Sequence, residues 1–245
     1  MINLPQIINL DEYLDLTNFE SVSKEFKENL SEIDKWSDTG VFSPDKSIKD
    51  PIGIRSFGLR IHKDISNLLN WGAIDKHELF EDSPIFLSHF PRLYSFIYNL
   101  PFKNIARVFL IYTKDGTSTL PHPDFTLGQE SWRMEFMWFS LSGKKRLWTT
   151  DYNNTLEFQK NGFVVEDEWE REYMKGTSCW FNPILVHGTD NGDNLSASLR
   201  VDGEFTTEFR KQIFGDDEWK TTFDWVDERY ILPEDSSYLK YQGED

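Results

Sequence analysis

The chain has 245 residues, enough for one substantial apolar core, and its 20 Phe and 9 Trp supply that core. With 42 acidic against 26 basic side chains the formal charge is −16, so the average surface repels phosphate backbones and anionic lipid, and nucleic-acid and membrane partners are not expected. A single cysteine, Cys179 in an apolar run, excludes an internal disulfide and reads as a buried small residue of a reducing, cytoplasmic setting. The N-terminal residues lack a basic region followed by an apolar run, and no window approaches the roughly 18 apolar residues that span a bilayer.

In chain order, Thr17 and Glu20 have capping-box spacing, and Phe19, Val22, Phe26, Leu30, Ile33 and Trp36 recur at helical intervals, predicting an amphipathic helix that ends near Gly40. Residues 41–63 read as irregular, with a strand at Ile54–Ile61. Short helices are expected around Asp64–Asn70 and Pro91–Asn99. From Ile105 the composition turns to β-branched and aromatic residues, predicting a strand to Thr113 that ends on Lys114-Asp115-Gly116. Arg133–Leu141 and Lys145–Thr150, joined across Ser142-Gly143, look like a hairpin. Thr177–Phe181, Ile184–His187 and Leu195–Phe205 supply further strands. The acidic stretch Val164–Glu172 fits either a loop or a strand with a helical turn. A helix is expected near Trp219–Tyr230, before a polar tail.

Many short strands separated by turns point to a mainly β fold with flanking α-helices, an antiparallel barrel or a cupin-like jelly roll. The organisation expected is a single domain: residues 1–104 a mostly helical elaboration, 105–205 the β core, and 206–245 a C-terminal helix and tail.

Three residues in the core stand out for chemistry. His122 and Asp124 at i and i+2 on a strand face the same way and can share one ion. His62-Lys63-Asp64 has the same spacing, so the pair alone says little, and Asp64 is better explained as a helix N-cap. His122-Pro123-Asp124 differs in following a strand and a turn, and in having His187 on a later strand. Two imidazoles and a carboxylate on one face leave coordination positions open and suit non-heme Fe(II).

Thirteen residues after His187 comes Arg200, on a strand that alternates Ser196, Ser198, Arg200 and Asp202 against Leu195, Ala197, Leu199 and Val201. The apolar face belongs between sheet and helices. The polar face lies in solvent or in the barrel's mouth. A guanidinium fork there is a natural bidentate partner for a carboxylate, with the Ser198 hydroxyl beside it. On the strand after the first two ligands, Phe136 and Trp138 occupy one face and Arg133 and Glu135 the other. Should the charged face look inward, Arg133 becomes a second carboxylate ligand. Trp132, Trp148 and Trp180 read as core, and the acidic loop from Glu166 to Glu172 as a solvated face.

The ordered set His122-x-Asp124, His187, Arg200 resembles the Fe(II)/2-oxoglutarate-dependent oxygenase superfamily over roughly Ala106–Phe205. Val186-His187-Gly188-Thr189-Asp190-Asn191 followed by Arg200 is similar to phytanoyl-CoA hydroxylase-like and prolyl hydroxylase-like members. Arg133-Met134-Glu135-Phe136 resembles the aspartyl/asparaginyl β-hydroxylase group, which carries a histidine where this chain has Glu135. The resemblance implies a double-stranded β-helix core, Fe(II) held by His122, Asp124 and His187, and 2-oxoglutarate paired with Arg200. It also implies use of O2, with succinate and CO2 as products, to hydroxylate a small polar metabolite or a peptidyl side chain. The presence of Asp124 favours hydroxylation over halogenation. Two other readings remain: a cupin-like module that binds metal or ligand without turnover, and a cupin enzyme that needs no co-substrate.

Overall fold

In a computed structural model, residues 5–29, 54–63, 77–113, 121–123, 135–142, 146–161, 164–183, 185–190 and 196–215 are described. Ten strands among them form two sheets, one of seven strands and one of three. The large sheet has the order β1 (Ile7–Asn9), β8 (Ser178–Phe181), β5 (Glu135–Ser142), β10 (Ser196–Phe205), β4 (Phe102–Thr113), β2 (Ile54–His62) and β3 (Phe80–Asp82). The small sheet has the order β7 (Glu172–Tyr173), β6 (Arg146–Thr149) and β9 (His187–Asp190), and residue 122 bridges to β9 at its edge. From β4 onward the chain repeatedly changes sheet, and every described pairing is antiparallel. That topology is a double-stranded β-helix of jelly-roll form. The mainly β core with flanking helices is therefore as the sequence predicts.

The expected hairpin is corrected by this arrangement. β5 pairs with β10 and β8, whereas β6 pairs with β7 and β9. A short polar connection reads the same whether the chain folds back on itself or crosses to the facing sheet. The strand expected at Ile184–His187 begins instead at His187, because Asn182 and Leu185 close a turn in which Leu185 N–H donates to the Asn182 carbonyl. Of the acidic stretch, Val164–Arg171 is irregular and only Glu172 joins a strand, while Trp169 is buried.

Helices cover the outer face of the large sheet. α1 (Phe19–Glu28) begins one residue later than the capping-box reading requires: Asn18 is its N-cap, and Thr17 N–H is taken by the Asp15 side chain. α2 (Pro84–His89) and α3 (Pro91–Tyr98) each start on a proline, which needs no N–H partner in the first turn. The first turn of α3 is capped from another element, since buried Glu25 of α1 accepts from Arg92 N–H at 2.9 Å and Leu93 N–H at 2.8 Å. Phe19, Phe96 and Phe139 then meet with centroids 5.3–5.6 Å apart, fixing α1 and α3 on β5.

Besides α2, two more helices have no counterpart in the sequence reading. α4 (Tyr152–Lys160) is capped by Asp151, whose side chain accepts from Asn154 N–H at 2.8 Å. α5 (Thr207–Phe214) is capped by Thr206 and packs Phe209 on Phe205 and Phe214 on Trp180. The helices expected around 64–70 and 219–230, and the second half of the one expected to reach Gly40, fall outside the described residues.

Register decides which side chains share a face. Arg200 lies opposite Trp138 and Phe109, and Leu199 opposite Phe139 and Leu110. Phe139 faces the helices, so the alternate set of Ser198, Arg200, Asp202, Phe136, Trp138, Arg107 and Phe109 points to the inside of the barrel.

Candidate active site

The polar face of β10 lies neither in bulk solvent nor at an open rim. Ser198, Arg200 and Asp202 are all buried, with Arg200 6% and Asp202 0% exposed. Three buried polar side chains on one face of a strand call for partners, and the neighbouring strands provide them. Asp202 Oδ1 accepts from Arg200 Nε at 2.9 Å. Its second oxygen lies 3.0 Å from a terminal nitrogen of Arg107, which is 2% exposed and stands opposite it on β4. The Arg200 guanidinium carbon sits 4.3 Å from the Phe136 ring centroid and 5.9 Å from that of Phe181, so two aromatic rings fix its plane. Ser198 Oγ donates to the Ile111 carbonyl at a long 3.4 Å.

The imidazoles come from the small sheet. His122 N–H donates to the His187 carbonyl at 3.0 Å and His187 N–H returns to the His122 carbonyl at 3.1 Å. Residues paired in this way project their side chains to the same face, and the two rings lie with centroids 4.7 Å apart. His187 is 4% exposed. Its Nδ1 is 2.8 Å from the Leu185 carbonyl, which can only accept, so Nδ1 carries the hydrogen and Nε2 keeps its lone pair in the neutral ring. Fixing one ring nitrogen against a backbone carbonyl is how proteins orient a histidine that ligates through the other. The chemistry of this donor pair therefore fits a divalent transition metal. Phe181 joins the two parts of the site: its ring is 4.5 Å from the His187 ring and 4.7 Å from Phe136, which underlies Arg200.

Of the residues singled out from sequence, the structure brings His122 and His187 together and places Arg200 and Ser198 on the interior face of the adjoining sheet. Asp124 and Arg133 fall outside the described residues, as does Trp132. Among the described residues no three His, Cys, Asp or Glu side chains group as a metal site. Glu135 turns away from the interior. Both of its oxygens bind Arg210 of α5, at 2.5 and 2.9 Å, and one also accepts from Phe205 N–H. Trp148 and Trp180 are buried, and Cys179 lies opposite Trp138, its thiol pushed up by burial and by nearby Asp11. Arg107 is the site residue that the sequence reading does not include. Its signal is a lone charge inside the apolar run Ile105–Thr113, which a strand tolerates only with a buried partner.

No protein-family model matches this sequence, and no curated protein is similar to it at significance. Solved structures do match. HygX from Streptomyces hygroscopicus, with nickel and 2-oxoglutarate bound, is 13% identical over 82% of this chain and 84% of its own, at a TM-score of 0.39. A Pseudomonas putida prolyl-4-hydroxylase is 8% identical over 82% and 91%, at 0.37. A recombinant oxalate oxidase in complex with glycolate is 10% identical over 64% of this chain, at 0.31, and the chain spans about half of its length. Likenesses this loose transfer no residue's role. Among the described residues no helix is long and apolar enough to cross a membrane.

Proposed function

We propose that this chain is an Fe(II)- and 2-oxoglutarate-dependent oxygenase, hydroxylating a small polar metabolite such as an amino acid, or a peptidyl side chain. The observation that carries the reading is the pairing of His122 with His187 across one hydrogen-bonded bridge, linked through the Phe181 ring to a buried arginine on the adjoining sheet. His122, Asp124 and His187 would hold the iron, and Arg200 would take the far carboxylate of 2-oxoglutarate. Bound iron would supply oxygen activation, so that 2-oxoglutarate, O2 and a C–H bond become succinate, CO2 and an alcohol.

The rest is the work of the chain. Leu185 holds His187 in the tautomer that presents Nε2, and Phe136 and Asp202 hold Arg200 in one orientation. Arg200 attracts an anion into a protein that otherwise repels one, since its charge is felt more strongly in a buried site than at the surface. Phe136, Phe181 and Trp138 keep water from the space between, which protects a reactive centre from wasteful turnover. The negative surface argues against nucleic acid and anionic membrane as substrates, and the cytoplasm suits an iron enzyme with one buried thiol.

The test uses the full chain under anaerobic conditions with ferrous iron. Adding 2-oxoglutarate should produce a visible charge-transfer absorbance. His187→Ala should abolish it together with iron binding, whereas Arg200→Ala should keep the iron and lose affinity for 2-oxoglutarate. Under oxygen, a succinate-release screen over free amino acids, short peptides and small acids, with products identified by mass, would name the substrate. Iron binding without any 2-oxoglutarate-dependent absorbance would leave the non-catalytic binding module standing in place of the oxygenase.

A further inference from the structure

The interior of the barrel holds two arginines on one aspartate, and this arrangement asks for an explanation that Arg200 alone does not give. Asp202 engages Arg200 through Nε, one edge of the guanidinium. The edge formed by the two terminal nitrogens is thereby directed elsewhere, in an orientation that the Phe136 ring also fixes. Asp202 thus acts as a jig for the fork. A carboxylate in that position also carries a cost for anion binding, because Asp202 and Arg200 by themselves form a neutral pair. Arg107 removes that cost. It lies opposite Asp202 in the β4–β10 register and meets the second oxygen at 3.0 Å. The trio carries one net positive charge, as an unaccompanied Arg200 would, with the addition of a fixed geometry.

We infer that Arg107 is a positioning residue for the anion site: it compensates Asp202, which orients Arg200, so that the charge of Arg200 serves a carboxylate of the co-substrate. The inference rests on the 2-oxoglutarate reading above and adds to it a residue that acts through two others. Arg107 sets affinity for 2-oxoglutarate electrostatically, with little effect on turnover at saturation.

The experiment measures 2-oxoglutarate binding to the iron-loaded full chain by anaerobic calorimetry, with the melting temperature of each variant and its KM and kcat for succinate release alongside. Arg107→Met should weaken binding by about tenfold or more, because a buried carboxylate is left to cancel Arg200. Arg107→Lys keeps the charge and should stay within about threefold of wild type. The decisive variant combines Arg107→Met with Asp202→Asn: it removes both charges, while the amide oxygen introduced by the second change can still accept from Arg200 Nε. It should return binding to within about threefold of wild type. This double variant also folds more readily than the single one, since it leaves no half-paired carboxylate in the interior. A double variant that binds no better than Arg107→Met, or Arg107→Met that binds like wild type, overturns the inference. Wild-type protein that fails to bind 2-oxoglutarate overturns the function proposed above as well, so the two failures are distinct.

Discussion

The cluster of Glu135, Arg210 and Phe205 joins α5 to the ends of β5 and β10, and its removal can be worked through from the structure. Glu135 is buried and Arg210 nearly so, with side chains 5% and 17% exposed, and their contact is a two-pronged ion pair. Glu135 also serves Phe205 N–H. Glu135→Ala takes the counter-ion from a guanidinium that also donates to the Phe205 carbonyl, and strands the Phe205 backbone donor. Breaking such a pair costs about 3–5 kcal/mol, and the residual solvent at Arg210 argues for the lower end, about 3 kcal/mol. For a chain of this length that is a fall in Tm of roughly 6–12 °C. Arg210→Met should cost a comparable amount by leaving the carboxylate unpaired. Combining Glu135→Gln with Arg210→Met removes both charges and keeps an acceptor for Phe205 N–H, so the loss should shrink to about 1 kcal/mol. Urea unfolding followed by far-ultraviolet circular dichroism, fitted with a common m-value, measures all three. A double variant as unstable as Arg210→Met would refute the account, since burial of unpaired charge could not then be what the single changes introduce.

Gly176 holds a positive φ of 88°, and a Cβ there would collide with Asp11 Oδ2. Asp11 cannot easily give way, because it accepts from Thr177 N–H, Ser178 N–H and Ser178 Oγ. Gly176→Ala should therefore cost about 1–3 kcal/mol, read as a lowered urea midpoint, and Asp11→Ala should lower it too. Glu204 offers a pH test. Partial burial works to raise its carboxyl, but hydrogen bonds from Lys103 and Asn104 and the nearby cations Lys103 and Arg210 outweigh that and hold it below its ordinary value. A carboxyl depressed in the folded state adds stability above its unfolded pKa, and that stability disappears as pH falls through the folded one. Glu204→Gln should thus be slightly less stable than wild type at pH 7, by well under about 1 kcal/mol for so exposed a group. The difference should close below its ordinary 4.5 in parallel melting curves.

Much of the core was legible because strand periodicity survives burial on one face. Ile105–Thr113 and Leu195–Phe205 announced themselves by composition, and the alternation around Arg200 correctly separated the apolar face from the polar one. What the alternation could not show was that both faces are buried. That depends on Arg107 and Phe136, which arrive from strands roughly 60 to 90 residues away. The same limit explains β5 and β6: local residues specify strands and a turn, while the choice between a hairpin and a crossover is made by which distant edges are waiting. α4 is not legible in the sequence because its periodicity is weak and its clearest signal is the cap at Asp151. The cap of α1 lies one residue past Thr17 because Thr17 and Asn18 are both competent caps, and Asp15 takes Thr17 N–H. At the site, His122 and His187 could be matched only as a set. The tautomer that makes His187 useful comes from the turn closed by Asn182 and Leu185, a segment that reads as strand.

The place of β10 has a consequence for how the molecule is made. It is the last strand of the core in chain order, yet it lies between β4 and β5, with no direct pairing between those two among the described residues. On a ribosome, β4 and β5 emerge long before the strand that joins them, and each must wait with an open edge. β1 waits longer still, for β8. The sheet therefore cannot zip progressively from the N-terminus; it closes when residues 196–205 insert, a late, long-range step of the kind that slows folding and leaves strand edges open to aggregation. That same insertion delivers Arg200 and Asp202. The chain has no anion site until its architecture is complete, so a half-made copy does not carry the arginine the proposed chemistry requires.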